Sequence, residues 1–229
     1  PDDDEQQRAQ AKRAERCDVD DQARPDPGES AEGGAAQERD RHEGAEQQVG
    51  RAVEDLGLHA IKFNPPHAHY LSSKSWDSDA FRPFWDAATS LGVPIFFTLG
   101  CGSGDESLQS TAAQQRRGYL GELRILTRWM ERYPDTLCSI THGFPWRLFI
   151  TDDGITLPEE IWEPFRNPRL SLEVCFPVRI GDLFDFPYRE VWPTLEQMVG
   201  RIGADRLLWG TDMPFQNRFC TYRQSRRWI

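Results

Sequence analysis

The chain has 229 residues and a formal net charge of −10 at pH 7, which suits one large α/β domain or two small ones. The acidic balance and the lack of a basic run argue against a nucleic-acid partner, and no stretch reaches the roughly 18 unbroken apolar residues of a membrane span. The five cysteines are widely spaced and form no CxxC pair. We therefore expect reduced thiols in a cytoplasmic protein.

The N-terminal segment, residues 1–49, contains no Leu, Ile, Met, Phe, Tyr or Trp. Such a composition buries too little apolar surface to offset the entropy lost on ordering the chain. The sequence therefore predicts a disordered, low-complexity polar tail over residues 1–49, followed by a folded domain over residues 50–229.

In that domain, strand-like apolar runs alternate with amphipathic helical stretches. The strand candidates begin about every 30 to 45 residues, close to the strand-plus-helix repeat of a (β/α)₈ barrel, and their near-continuous apolar character predicts a parallel sheet. The predicted strands cover 59–64, 94–99, 137–141, 170–176 and 207–209, and the predicted helices cover 79–91, 119–133, 158–166 and 188–202.

Polar side chains follow or end these strand candidates, and the carboxyl ends of parallel strands share one edge of a sheet. His142 and Asp212 form the strongest pair, because an imidazole and a carboxylate together bind a divalent metal or act as acid and base. Each has an ordinary structural alternative, a hydrogen-bonding His and a helix-capping Asp. The other polar strand-end residues are Asn64, Thr98 and Thr141, and Glu173 lies within the fourth predicted strand.

Two further motifs indicate alternative functions, a zinc site and a methyltransferase. His67 and His69 have the spacing of a zinc chelate on a strand, but they follow Pro-Pro, which favours a solvated loop. The run LGCGSGD, residues 99–105, resembles the glycine-rich motif of S-adenosylmethionine-dependent methyltransferases. Thr98 stands where that family usually has an acidic residue, and a helical pattern occupies the place of its second strand.

The segments GLHAIKFNPP, FWDAATSLGVPIFFTLG, SITHGFPW and LLWGTDMPF, in this order, resemble the amidohydrolase-related family of metal-dependent TIM-barrel hydrolases and decarboxylases. The resemblance covers about residues 50–225. It implies an incomplete TIM (β/α)₈ barrel, about strands 4 to 8. It also implies a hydrolase or carboxy-lyase acting on a small carboxylated or cyclic substrate, with His142 and Asp212 catalytic. Asp212 would also bind a divalent metal, zinc or manganese.

The chain departs from the family pattern at two points. The metal-binding His-x-His of the family's first strand would fall in the polar tail, and the His that ends its fifth strand corresponds to Thr98. These departures keep open a catalytically inactive barrel fragment or a binding module. Arg147, close to His142, is a candidate for holding a substrate carboxylate, although a surface salt bridge is the commoner fate of such an Arg. A small-molecule substrate is the expected partner, and a homo-oligomer is left open.

Overall fold

The strands lie where the sequence predicted them. In a computed structural model of the chain, which describes residues 44, 46–65, 75–100 and 111–228, five strands form one parallel sheet in the order β1-β2-β3-β6-β7, and two more form a separate antiparallel hairpin. The parallel sheet confirms the predicted class, while the hairpin was not predicted. The strands are β1 (Ile61–Phe63), β2 (Ile95–Phe97), β3 (Cys138–Ile140), β4 (Ile150–Thr151), β5 (Gly154–Ile155), β6 (Leu170–Val174) and β7 (Leu207–Trp209).

The helices agree with the predictions except at one segment. The second helix begins at Ala112, earlier than predicted, because Thr111 and Gln114 form a reciprocal capping box. The helix predicted over 158–166 is wrong. It is two 3-10 turns, and Pro164 has no N–H to donate to a helical hydrogen bond. The helices are α1 (Arg82–Ser90), α2 (Ala112–Arg132), α3 (Phe176–Ile180), α4 (Trp192–Ile202) and α5 (Tyr222–Ser225).

The two faces of the sheet differ in chemistry, because successive side chains on a strand point to opposite faces. One face packs against the helices and carries Ile61, Phe63, Ile95, Phe97, Cys138, Ile140, Leu170, Leu172 and Val174. The other, which we call the inner face, carries Lys62, Phe96, Ser139, Ser171, Glu173 and Leu208.

An aromatic cluster anchors the helix-covered face. Trp85, Phe97 and Trp129 are almost fully buried, and the ring centroids of Trp85 and Phe97 each lie 5.1 Å from that of Trp129 in edge-on contacts. Burying one such side chain contributes about 1.5–3 kcal/mol. The cluster therefore holds α1 and α2 against β2 and gives the strand ends a rigid support.

The structure describes a small part of the predicted tail. Residues 44 and 46–50 are helical, and Val49 packs against the core. The boundary at residue 50 stays a prediction, because the other residues of the predicted tail lie outside the described residues, as do His67, His69 and all of the glycine-rich run after Gly100. Among the described helices, none is long and apolar enough to span a membrane.

Candidate functional site

His142 and Asp212 come together at the carboxyl ends of β3 and β7. His142 Nε2 lies 3.7 Å from Asp212 Oδ1, and both side chains are partly exposed. This distance is longer than a hydrogen bond. Each group therefore keeps the capacity to bind a third atom placed between or beside them, which is what an acid–base pair requires.

Both residues have a left-handed backbone, with φ values of 63° for His142 and 49° for Asp212. For a residue other than glycine, this conformation costs about 1–3 kcal/mol and persists only where the surrounding structure holds it. The structure around the turns after β3 and β7 therefore holds His142 and Asp212 in a backbone conformation that these residues disfavour.

Glu173, on the inner face of β6, connects the two strand ends. Its Oε2 accepts a hydrogen bond of 2.6 Å from the backbone N–H of His142. On its other side it packs over Gly210, where an added Cβ would lie 2.5 Å from Glu173 Cγ and closer still to the carboxyl atoms. The glycine of the Gly-Thr-Asp motif thus makes room for the carboxylate that holds the His142 backbone.

The sequence marked Glu173 as a polar residue in an apolar strand but did not select it as a site residue. The signal that could have selected it is the combination of this carboxylate with the glycine two residues before Asp212. Only the pairing of β6 with β7, which sets Glu173 beside Leu208, brings the two into contact.

Burial lowers the pKa of His142 below its ordinary value of 6.5, and the positive charges of Arg179 and Lys62 act in the same direction. The carboxylates of Asp212 and Glu173 oppose this shift. Arg179 also donates a hydrogen bond of 3.2 Å from Nε to the His142 carbonyl. At neutral pH His142 is therefore uncharged and able to accept a proton.

A cavity of about 460 Å³ opens on the inner face of the sheet beside this pair. Its volume lies in the range of about 300–1,000 Å³ that holds small-molecule ligands. The lining residues are Lys62, Phe96, Ser139, Thr141, His142, Glu173, Leu208, Trp209 and Asp212.

The donor set in the described part of the chain falls short of a metal centre. No group of three or more His, Cys, Asp or Glu side chains there could hold a metal ion. Thr98, at the position of the family's strand-five His, has its hydroxyl 2.7 Å from that of Thr141. The assignment of Asp212 as a ligand of zinc or manganese stays a prediction.

Arg147 does not line the cavity. It belongs to a 3-10 turn, Trp146–Phe149, whose other three residues are buried, so Arg147 projects outward. Its Nε donates to the Arg179 carbonyl at 3.0 Å, and its guanidinium pairs with Asp182. The proposed role of Arg147 in holding a substrate carboxylate stays a prediction.

A family model described as amidohydrolase matches residues 3–228, and this match also includes most of the segment predicted as a tail. No curated protein matches the chain at a significant level. Among solved structures, 2,6-dihydroxybenzoate decarboxylase from Rhizobium is similar with a TM-score of 0.54 and 19% identity over 83% of this chain and 61% of that one.

Two further structures have TM-scores of 0.50. The 5-carboxyvanillate decarboxylase from Novosphingobium aromaticivorans, complexed with manganese and 4-hydroxy-3-methoxy-5-nitrobenzoic acid, is 15% identical over 81% of this chain and 54% of that one. An uncharacterized TIM-barrel protein from Bordetella bronchiseptica is 19% identical, over 82% and 59%. The chain thus spans about three fifths of the length of these structures, and at such identities the likeness shows the fold alone. Because the family model matches nearly its whole length, the chain belongs to the amidohydrolase family.

Proposed function

We propose that the five parallel strands are the C-terminal half of an amidohydrolase-type TIM barrel that acts as a hydrolase or carboxy-lyase. The substrate is a small carboxylated or cyclic compound held in the cavity on the inner face. The observation that carries this proposal is the His142–Asp212 pair, 3.7 Å apart at the edge of a cavity of about 460 Å³. Family membership favours this reading over the methyltransferase alternative.

His142 is the proton-transferring group of the proposed reaction. Its lowered pKa leaves Nε2 free to accept a proton at neutral pH, and the negative charge of Asp212 stabilises the imidazolium that forms. In hydrolysis, His142 takes a proton from the attacking water, whose oxygen bonds to the substrate carbon. The imidazolium returns this proton to the leaving oxygen or nitrogen as its bond to that carbon breaks. In decarboxylation, His142 first takes up a proton from solvent. The bond to the carboxylate then breaks, CO₂ leaves, the electron pair stays on the substrate carbon, and that carbon receives the proton from the His142 imidazolium.

The non-catalytic alternative, a binding module on a degenerate barrel, rests on a separate observation. The Thr98–Thr141 hydrogen bond occupies the place of a family ligand, and the described residues offer no three-donor metal group. The same cavity would then bind a ligand without changing it.

The decisive experiment measures turnover by the full chain. CO₂ release from 2,6-dihydroxybenzoate and hydrolysis of a panel of cyclic esters are followed with and without added Mn²⁺ or Zn²⁺. Removing a general acid–base group costs about 10²–10⁴-fold, so His142→Asn and Asp212→Asn should each lower the rate by at least about a hundredfold.

The matched controls are His59→Asn and Asp152→Asn, which change the same residue types at exposed positions away from the cavity lining. Both should retain full activity. If no substrate is turned over under any metal condition, or if the His142 variant is as active as the parent chain, the catalytic proposal is wrong.

A further inference from the structure

Among the cavity-lining residues that the structure describes, one is a cation that the site described above does not use. Lys62, at the centre of β1, lines the cavity and is exposed to it. Among the described residues it has no ion-pair or hydrogen-bond partner. Its charge nevertheless reaches His142, because it contributes to lowering the pKa of that side chain.

The pairing of the strands places Lys62 two strands away from β3, the strand that His142 follows. Lys62 pairs with Phe96 on β2, and Phe96 pairs with Ser139 on β3. Two strand spacings of about 4.8 Å each therefore separate β1 from β3. Phe96 lies between them on the inner face, partly buried, as an apolar floor.

The other charged groups described around the cavity each face a neighbouring group of the protein. Glu173 accepts the His142 backbone N–H, and Arg179 donates to the His142 carbonyl. Asp212 faces the imidazole at 3.7 Å. Lys62 is thus the cation to which an anionic group entering the cavity would be drawn, whereas the guanidinium of Arg147, outside the cavity, is paired with Asp182.

We propose that Lys62 binds the carboxylate of the ligand, with the ring of a cyclic acid lying over Phe96 and the reacting carbon within reach of His142. The ligand class is a small aromatic or cyclic monocarboxylate. This inference rests on the proposed function for the reaction that follows, but binding itself requires no turnover. It replaces Arg147 with Lys62 as the residue that recognises the carboxylate.

Titration calorimetry on the full chain tests the proposal with benzoate as the probe and benzamide as its uncharged counterpart. The parent chain should bind benzoate and not benzamide. Loss of a charge-assisted hydrogen bond should weaken benzoate binding by about tenfold or more in Lys62→Met. Lys62→Arg keeps the charge and should bind within a few-fold of the parent.

Two further variants distinguish carboxylate binding by Lys62 from binding by Arg147 or by His142. Arg147→Met should bind benzoate as the parent does, and His142→Asn should bind it while failing in turnover. Unchanged binding in Lys62→Met, loss of binding in Arg147→Met, or equal binding of benzamide overturns the role of Lys62. Benzoate binding that depends on Lys62 in a chain without any turnover would overturn the proposed function and leave this inference standing. Because Lys62 is exposed, thermal unfolding should confirm that its variants fold.

Discussion

Replacing Gly210 with alanine tests whether Glu173 ties the two strand ends together. The backbone at Gly210 is outside the left-handed region, so alanine is allowed there and only the side-chain contact matters. The new Cβ would lie 2.5 Å from Glu173 Cγ, and no real Cβ approaches a heavy atom under 3.0 Å. The Glu173 side chain therefore has to leave its position.

The cost follows from the hydrogen bond that is lost. Glu173 accepts the His142 N–H at 2.6 Å, and a hydrogen bond to a charged group contributes about 1.5–3 kcal/mol. Gly210→Ala should therefore lower the free energy of unfolding by about 2–3 kcal/mol. In a Glu173→Ala background the obstacle is gone, and the same substitution should change stability by less than about 1 kcal/mol.

The assay is urea unfolding at 25 °C, followed by tryptophan fluorescence, on the parent chain, both single variants and the double variant. The coupling free energy of this cycle should be about 2 kcal/mol. Gly200→Ala is the matched control, because a Cβ at this exposed position of α4 meets nothing within 4 Å. It should raise stability by about 0.5–1 kcal/mol.

Glu173 does not tie the two strand ends together if Gly210→Ala costs the same with and without the Glu173 side chain. Equal costs would mean that the glycine is needed for some other reason and that the carboxylate does not hold the end of β7. An NMR spectrum of the His142 backbone amide provides a second measurement, since its proton should shift upfield in both single variants.

Three further predictions concern stability. The folded-state pKa of His142 lies below 6.5, so the unfolded chain binds more protons than the folded chain near pH 6. The contribution of neutral His142 to the free energy of unfolding should therefore be complete above about pH 6.5 and be lost as pH falls through the folded pKa. In His142→Asn the free energy of unfolding should fall less over this range. Arg206 donates to three backbone carbonyls around the start of β6 and to one in α4. Arg206→Met should therefore lower the free energy of thermal unfolding by about 2–3 kcal/mol. Arg201→Met removes only an exposed ion pair and should lower it by less than about 1 kcal/mol. Glu122 accepts the indole N–H of Trp76 at 2.8 Å in the core. Glu122→Leu should therefore lower the free energy of urea unfolding by about 1–3 kcal/mol, and adding Trp76→Phe should recover part of that loss. These assignments would be contradicted if the effects of Glu122→Leu and Trp76→Phe on the free energy of unfolding were additive, or if the two Arg variants lowered it equally.

The strands and the order of the strand ends were predictable because they depend on local patterns. β7 lies at the predicted residues, and the other four strands of the parallel sheet lie inside their predicted ranges. The family resemblance is confirmed by a family model that matches residues 3–228. The helix predicted over 158–166 was wrong, because Pro164 cannot donate the N–H of a helical hydrogen bond and the segment forms 3-10 turns.

The contacts that shape the candidate site were not predictable, since they join residues far apart in the chain. Glu173 meets Gly210 and the His142 backbone only because β6 pairs between β3 and β7. The sequence could not show that the guanidinium of Arg147, a candidate for carboxylate binding, pairs with Asp182.

The sequence by itself determined the alternating strand and helix pattern, the amidohydrolase resemblance, and the placing of His142 and Asp212 at strand ends, because apolar periodicity and short turn motifs are local properties of the chain. Tertiary structure alone decided which charges remain available. Pairing of strands and packing of loops engage Arg147 with Asp182 and Glu173 with His142, while Lys62 stays without a described partner in the cavity. Whether a charged side chain has a partner depends on the residues that lie next to it in the folded structure, and these neighbours cannot be read from the order of residues in the chain.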